Sequence, residues 1–443
     1  MQFHTRYFAT FCFLIFACVR PCDAQQRLEF RGTTMGSIGY TVLVVSDDSE
    51  PKQLKAIKTN IDISLERVNK LMSTYLEDSD ISKFNRSESE DWQSVDKETA
   101  AVVARALEIC ELTDGAFDPT VGPLVNAWNF GPNKKEVAKI PDDDRIKKLK
   151  SLIGFSSIEV RADPAAIRKR NPKVQLDLSA IAKGYAVDRV GRTLEDMGYE
   201  DYMVEVGGEV ATRGERAQGG PWNVAVERPD SKAHLDNASR AHRITQLSGK
   251  AVATSGNYRN YIDIDGKRFS HTIDPKTGRP VEHNLSIASV VADDCMTADA
   301  IATAVMVMGT EKGSQLCEAN GFPLLTVSRS DSDDGLPYIT AMSKDFPIAN
   351  IEEAGISESG NQTETESGSS SAGEILPVFL ATFVVFCLMI LGMAVGAIFN
   401  NKPVTGSCGG IANMTNEDGE QVCGICSKPT VDCEENEAPT SSA

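Results

Sequence analysis

Tyr202-Met203-Val204-Glu205-Val206-Gly207-Gly208-Glu209-Val210-Ala211-Thr212 reads as two short strands joined at a glycine turn. Working outward from it, Ile38 to Val45 alternates as a strand does, whereas Leu54 to Met72 repeats its apolar residues at helical spacing. Val102 to Leu112 is a second helical stretch, ended by Asp114-Gly115, and Ala298 to Met308 is a strongly apolar third. No internal repeat is visible. Residues 27–350 are therefore expected to form one folded region of the α+β class.

The chain has 443 residues, enough for a sizeable core. Its 63 acidic and 45 basic side chains leave a net charge of −18. That charge repels phosphate backbones and excludes general nucleic-acid binding. The 11 Cys are too dilute for a disulfide scaffold. Cys110, Cys295 and Cys317 have apolar neighbours and are expected to be buried thiols, with a disulfide between one pair as the alternative. Trp128 and Trp222 are expected in the core.

Both ends carry targeting signals. Residues 1–24 resemble an export signal: Phe8 to Val19 is an uncharged, mostly apolar run of 12 residues, and Cys22-Asp23-Ala24 offers a cleavage site before Gln25. Ile15-Phe16-Ala17-Cys18 makes a poor lipobox because Phe16 is bulky. Residues 351–374 are rich in Ser, Gly, Thr and Glu, as a flexible tether would be. Ile375 to Phe399 then runs 25 residues without a charge, a helix of about 38 Å that can cross a hydrocarbon core. Lys402 and Lys428 lie beyond this span, and six Glu with no Lys or Arg precede it. The expected topology is a body outside the cytoplasmic membrane and a tail, residues 400–443, in the cytoplasm.

Three segments of the body carry chemistry. In Thr297-Ala298-Asp299-Ala300-Ile301-Ala302-Thr303, Asp299 and Thr303 share one helical face and offer two hard oxygen ligands of the kind Mg²⁺ prefers. A solvated Asp with a Thr bonded to its own backbone would give the same pattern. Asp177-Leu178-Ser179-Ala180-Ile181-Ala182-Lys183-Gly184-Tyr185-Ala186 looks like a strand end turning into a small-residue helix, with Lys183 near a helix start where phosphate could bind. Tight helix packing is the alternative. Neither a Walker sequence nor GxGxxG is present. His271, in Phe269-Ser270-His271-Thr272-Ile273-Asp274-Pro275, sits in a hairpin-like loop where a general base could stand.

These segments occur in order with Gly32-Thr33-Thr34-Met35-Gly36, Met72-Ser73-Thr74-Tyr75, Gly115-Ala116-Phe117-Asp118-Pro119 and Val206-Gly207-Gly208. The series, spanning roughly residues 27–345, resembles the ApbE family, the FAD:protein FMN transferases. The resemblance implies a T-fold-related domain that takes FAD and Mg²⁺, attaches FMN through its phosphate to a Thr or Ser of a partner protein, and releases AMP. It implies that Met35, Tyr75, Ala116, Phe117, Asp118, Asp177, Lys183 and Ile273 surround the FAD. It also implies that the Ala180 carbonyl and the Asp299 and Thr303 side chains hold Mg²⁺. His271 is the candidate to deprotonate the acceptor hydroxyl. The alternatives are an FAD pyrophosphatase, in which water replaces the protein hydroxyl, and a flavin-binding membrane protein without catalysis, against which the Asp299 and Thr303 pair argues because flavin storage needs no Mg²⁺.

Beyond the apolar span, Cys408, Cys423, Cys426 and Cys433 fall within 26 residues and include a CxxC. They suit a thiolate metal site on a reducing face, with two disulfides or a structural Zn²⁺ as alternatives. Helix and tail together resemble NqrM, a maturation factor of the sodium-translocating NADH:quinone reductase thought to supply iron. That resemblance implies iron on these four Cys, and subunits of the reductase as flavin acceptors.

Overall fold

The computed structural model describes residues 26–349, apart from 49, 132–138, 230–240, 259, 265 and 331–337. These residues belong to one compact unit, and the expected signal, tether, membrane span and Cys tail lie outside the described residues. Among the described residues no helix is long and apolar enough to cross a membrane.

Eight strands form the central sheet: β1 (Gln26–Thr34), β2 (Ile38–Ser46), β3 (Tyr202–Val206), β4 (Glu209–Arg213), β5 (Ala251–Gly256), β6 (Leu285–Ala292), β7 (Leu324–Arg329) and β8 (Tyr338–Met342). Their order across the sheet is their order along the chain, and every neighbouring pair is antiparallel. Register is set by apolar pairs such as Phe30 with Val42, Val252 with Val291 and Val290 with Leu324. The glycine turn behaves as the sequence predicts: Val206 pairs with Glu209 across Gly207 and Gly208, both at positive φ.

Helices cover one face. α1 (Pro51–Met72) starts on a proline at its first turn and buries the stripe Ile57, Ile61, Leu65, Val68 and Met72. α2 (Lys97–Leu112) begins five residues before the sequence expectation, because Asp96 caps it by accepting from the Glu98 N–H at 2.9 Å. α3 (Ala182–Asp196) and α4 (Cys295–Met308) cross each other above the sheet. The hairpin Trp222–Glu227/Ala241–Leu247 covers the opposite face, where Val224, Val226 and Leu247 meet Val210, Val252 and Ile287. β6 is consequently buried on both sides along all eight residues, which explains why six of them are apolar and the other two are the small Ser286 and Ser289.

One local expectation needs correction. Asp177 is not a strand end; residues 177–181 run as an irregular segment before α3, and the Asp177 N–H donates to the Pro119 carbonyl at 2.7 Å. Trp128 and Trp222 are buried as expected, and Cys110, Cys295 and Cys317 are buried free thiols rather than a disulfide.

Candidate active site

The site is built where α3 and α4 touch. Gly184, in the first turn of α3, allows that contact: a Cβ there would stand 2.3 Å from the Cys295 carbonyl oxygen and 2.8 Å from the Met296 Cα. α4 is fixed at its start by two carboxylates. Asp294 caps the Thr297 N–H at 2.8 Å, and Asp188 of α3 accepts from the N–H groups of Cys295 and Met296 at 2.8 and 2.9 Å. Loss of hydration nevertheless pushes the Asp188 carboxyl up to about 7, against the pull of its two backbone donors.

Held in this way, α4 presents Asp299 and Thr303 to a cavity of about 470 Å³. Asp299 is buried, with Oδ2 accepting from the Gly184 N–H at 3.0 Å and Oδ1 3.3 Å from Lys183 Nζ. Thr303 is not bonded to its own backbone through its hydroxyl; the Oγ1 lies 3.3 Å from Ser255 Oγ of β5. Lys183 Nζ also meets Glu209 Oε1 at 2.5 Å, so one ammonium serves two buried carboxylates. Burial is the largest influence on the Lys183 amine and acts downward, but the two carboxylates outweigh it and hold the amine protonated. Burial, reinforced by Asp299, raises the Glu209 carboxyl against the pull of Lys183.

The opposite wall carries the remaining candidates. Ala116, Phe117 and Asp118 follow α2 through a turn in which Asp114 and Gly115 have positive φ, and Thr113 Oγ1 accepts from the Phe117 N–H at 3.2 Å. Asp118 is buried and accepts from both the N–H and the hydroxyl of Thr120, at 2.8 and 2.6 Å; burial dominates and raises its carboxyl. His271 lies in the two-residue link between two hairpins, Tyr261–Ile264/Lys267–Ser270 and Ile273–Asp274/Arg279–Pro280, and Ile273 opens the second of them. The second hairpin is anchored by the Trp128 indole, which donates to the Gly278 carbonyl at 2.9 Å.

The His271 ring is held in one tautomer. Its Nδ1 lies 3.0 Å from the Asn260 carbonyl oxygen, which can only accept, so Nδ1 carries the hydrogen and Nε2 keeps its lone pair. Burial pulls its pKa below the ordinary imidazole value, favouring the neutral ring. Phe130 packs edge-on against that ring, with centroids 6.2 Å apart.

Of the twelve body residues expected at the site, Tyr75, Ala116, Phe117, Asp118, Asp177, Ala180, Lys183, His271, Ile273, Asp299 and Thr303 all line this one cavity. Tyr75 stands at its mouth, 75% exposed. Met35 does not line it; it occupies the β1–β2 turn at φ 48° and packs against the helical core. Glu209, Asn260, Phe130 and Ser255 also line the cavity, although the motifs did not single them out. Glu209 follows the recognised Gly207-Gly208 pair, but only the turn geometry shows that it points inward while Glu205 accepts from the Gly208 N–H at the exposed turn.

The donor set fits Mg²⁺: a carboxylate, a hydroxyl and a main-chain carbonyl are hard oxygens around an excess negative charge. Glu209 Oε2 is buried without a hydrogen-bond partner beside them. Among the described residues no group of three or more His, Cys, Asp or Glu gathers as a metal cluster, so such an ion would keep several waters. The four tail Cys lie outside the described residues.

The fold and sequence have clear relatives. A FAD:protein FMN transferase from Vibrio cholerae is 38% identical over 333 residues, covering 75% of this chain and 96% of its own length. One from Salmonella typhimurium is 39% identical over 325 residues, covering 73% and 89%. The solved flavin transferase ApbE of Vibrio cholerae superposes with a TM-score of 0.64 at 36% identity, over 73% of this chain and 98% of that one. The apo flavinyl transferase ApbE of Pseudomonas stutzeri gives 0.63 at 36% identity, over 72% and 95%. Residues 397–442 separately match the family described as (Na+)-NQR maturation NqrM. Residues 35–325 match the ApbE family, and with relatives at this identity across nearly their whole length, the chain belongs to that family.

Proposed function

We propose that this chain is a Mg²⁺-dependent FAD:protein FMN transferase, anchored by residues 375–399 with its body outside the cytoplasmic membrane and its Cys tail inside. The observation that carries the transferase assignment is the convergence on one cavity of a buried Asp299–Lys183–Glu209 cluster and a neutral, oriented His271. The cluster suits a pyrophosphate and its cation; the histidine suits a hydroxyl nucleophile.

Lys183 would face the FAD pyrophosphate as a fixed positive charge, while Asp299, Thr303 and the Ala180 carbonyl would hold Mg²⁺. The bound ion would supply charge neutralisation at the pyrophosphate. Phe117, Ile273 and Phe130 offer apolar surface for the flavin ring. His271 Nε2 would accept the proton of the acceptor Thr or Ser hydroxyl as its oxygen bonds to the FMN phosphorus. The bond from that phosphorus to the bridging oxygen then breaks, and AMP leaves with the electron pair.

The NqrM match supports a specific destination: subunits of the sodium-translocating NADH:quinone reductase as acceptors, with Cys408, Cys423, Cys426 and Cys433 handling iron. Incubation with FAD, Mg²⁺ and such a subunit, with and without a chelator, tests the assignment. Flavin fluorescence on the denatured acceptor is the expected result. Free FMN would mean hydrolysis, and unchanged FAD would mean binding alone; either overturns the transferase assignment.

A further inference from the structure

We propose that Glu209 is a positioning residue that keeps the Lys183 ammonium off Asp299 when a divalent cation arrives. This rests on the Mg²⁺ reading above. Lys183 Nζ is 2.5 Å from Glu209 Oε1 but 3.3 Å from Asp299 Oδ1, so the ammonium already sits closer to the residue assigned no ligand role. A cation on Asp299 repels that ammonium, and a buried ammonium needs another anion within reach of its stem. Among the described residues Glu209 is the second carboxylate paired with it, and only 4% of the Glu209 side chain is exposed.

Three further features fit a fixed anchor. Glu209 opens β4 directly after the turn, so its backbone is held by pairing with Val206. Its Oε2 is buried and unpartnered, leaving a second acceptor for the ammonium as it withdraws from Asp299. Gly207 lies beside the pair at φ +65°, and a Cβ there would stand 2.8 Å from Ile38 Cγ2, 3.5 Å from Lys183 Cδ and 3.6 Å from Glu209 Oε2, so the turn packs closely against both partners. The anchored ammonium can then face a phosphate oxygen while Asp299 faces the cation. Without Glu209, Lys183 and the cation compete for one carboxylate.

The test is a double-mutant cycle on Mg²⁺ binding to the flavin-free full-length protein, read by titration calorimetry. Circular dichroism and a thermal melt confirm that each variant is folded. Glu209→Gln, nearly isosteric, should weaken Mg²⁺ binding at least tenfold. Lys183→Met should improve binding at least tenfold more in the Glu209→Gln background than in the native one, because there Asp299 is the one carboxylate left to the ammonium of the pair it meets in the native protein. Glu209→Asp keeps the charge but draws it back by one methylene, and should weaken binding at least threefold. Additive effects of the two substitutions, or native affinity in Glu209→Asp, overturn the positioning role while leaving the Mg²⁺ reading intact. Loss of any Asp299-dependent Mg²⁺ signal in the native protein overturns both.

Discussion

Replacing Gly184 with alanine tests whether the α3–α4 contact holds the site. The added methyl carbon would lie 2.3 Å from the Cys295 carbonyl oxygen, 2.6 Å from its carbon and 2.8 Å from the Met296 Cα. All three are backbone atoms at the start of α4, so no side chain can rotate away. An ordinary contact needs the helices to separate by roughly 1 Å, and overpacking of this kind costs about 1–3 kcal/mol. Separation also stretches the 3.0 Å bond from the Gly184 N–H to Asp299, a charge-assisted bond of about 1.5–3 kcal/mol. Alanine's better helix propensity returns about 1 kcal/mol. The net expectation is a loss of about 1.5–5 kcal/mol, measured by urea denaturation of the full-length protein, together with weaker Mg²⁺ binding. Stability within 0.5 kcal/mol of native, with unchanged Mg²⁺ affinity, would refute the role assigned to the contact (surface-like effects fall within about that range).

Asp299→Ala should abolish transfer in the in-gel flavin fluorescence assay while the far-ultraviolet spectrum stays native, since Lys183 keeps Glu209 as its partner. His271→Ala should slow transfer by about 10²–10⁴-fold at saturating FAD with its affinity preserved, as expected for a general base; lost FAD affinity with normal turnover would make it a binding residue. Because the neutral ring is the active form and burial lowers its pKa, activity should fall only as pH drops below the ordinary value of 6.5. An acid limb with its midpoint above 6.5 would contradict that environment. Deleting residues 375–443 should give a soluble, active transferase. In intact cells an impermeant thiol reagent should miss Cys408, Cys423, Cys426 and Cys433, and labelling there would reverse the proposed topology.

Where sequence and structure agree, local chemistry carries the signal. Ile38 to Val45 alternates because β2 has one face on the helices, and Leu54 to Met72 shows its stripe because α1 packs by a single side. Asp299 and Thr303 were legible as a pair because four residues is one helical turn. β6 was not legible by alternation, since burial on both faces erases it. Glu209 was invisible for a different reason: Glu205 and Glu209 look alike along the chain, and only the turn between them sends one inward. Asn260 acts through a main-chain carbonyl, for which side-chain identity carries no signal.

The sheet's chain-ordered layout has a kinetic consequence. β1 and β2 are separated by three residues, but β2 and β3 enclose an excursion of about 155 residues that holds α1, α2 and α3. Closing that larger loop costs about 3.5 kcal/mol more than closing the short one if both are treated as flexible chain. The β1–β2 and β3–β4 hairpins should therefore form early and separately, and join only after the intervening helices have collapsed and shortened the gap. Asp177, Lys183 and the Ala116–Asp118 turn all lie within that excursion, whereas Glu209, His271 and Asp299 lie beyond it. The cavity would then be among the last features to assemble, and the protein would fold before it could hold either flavin or metal.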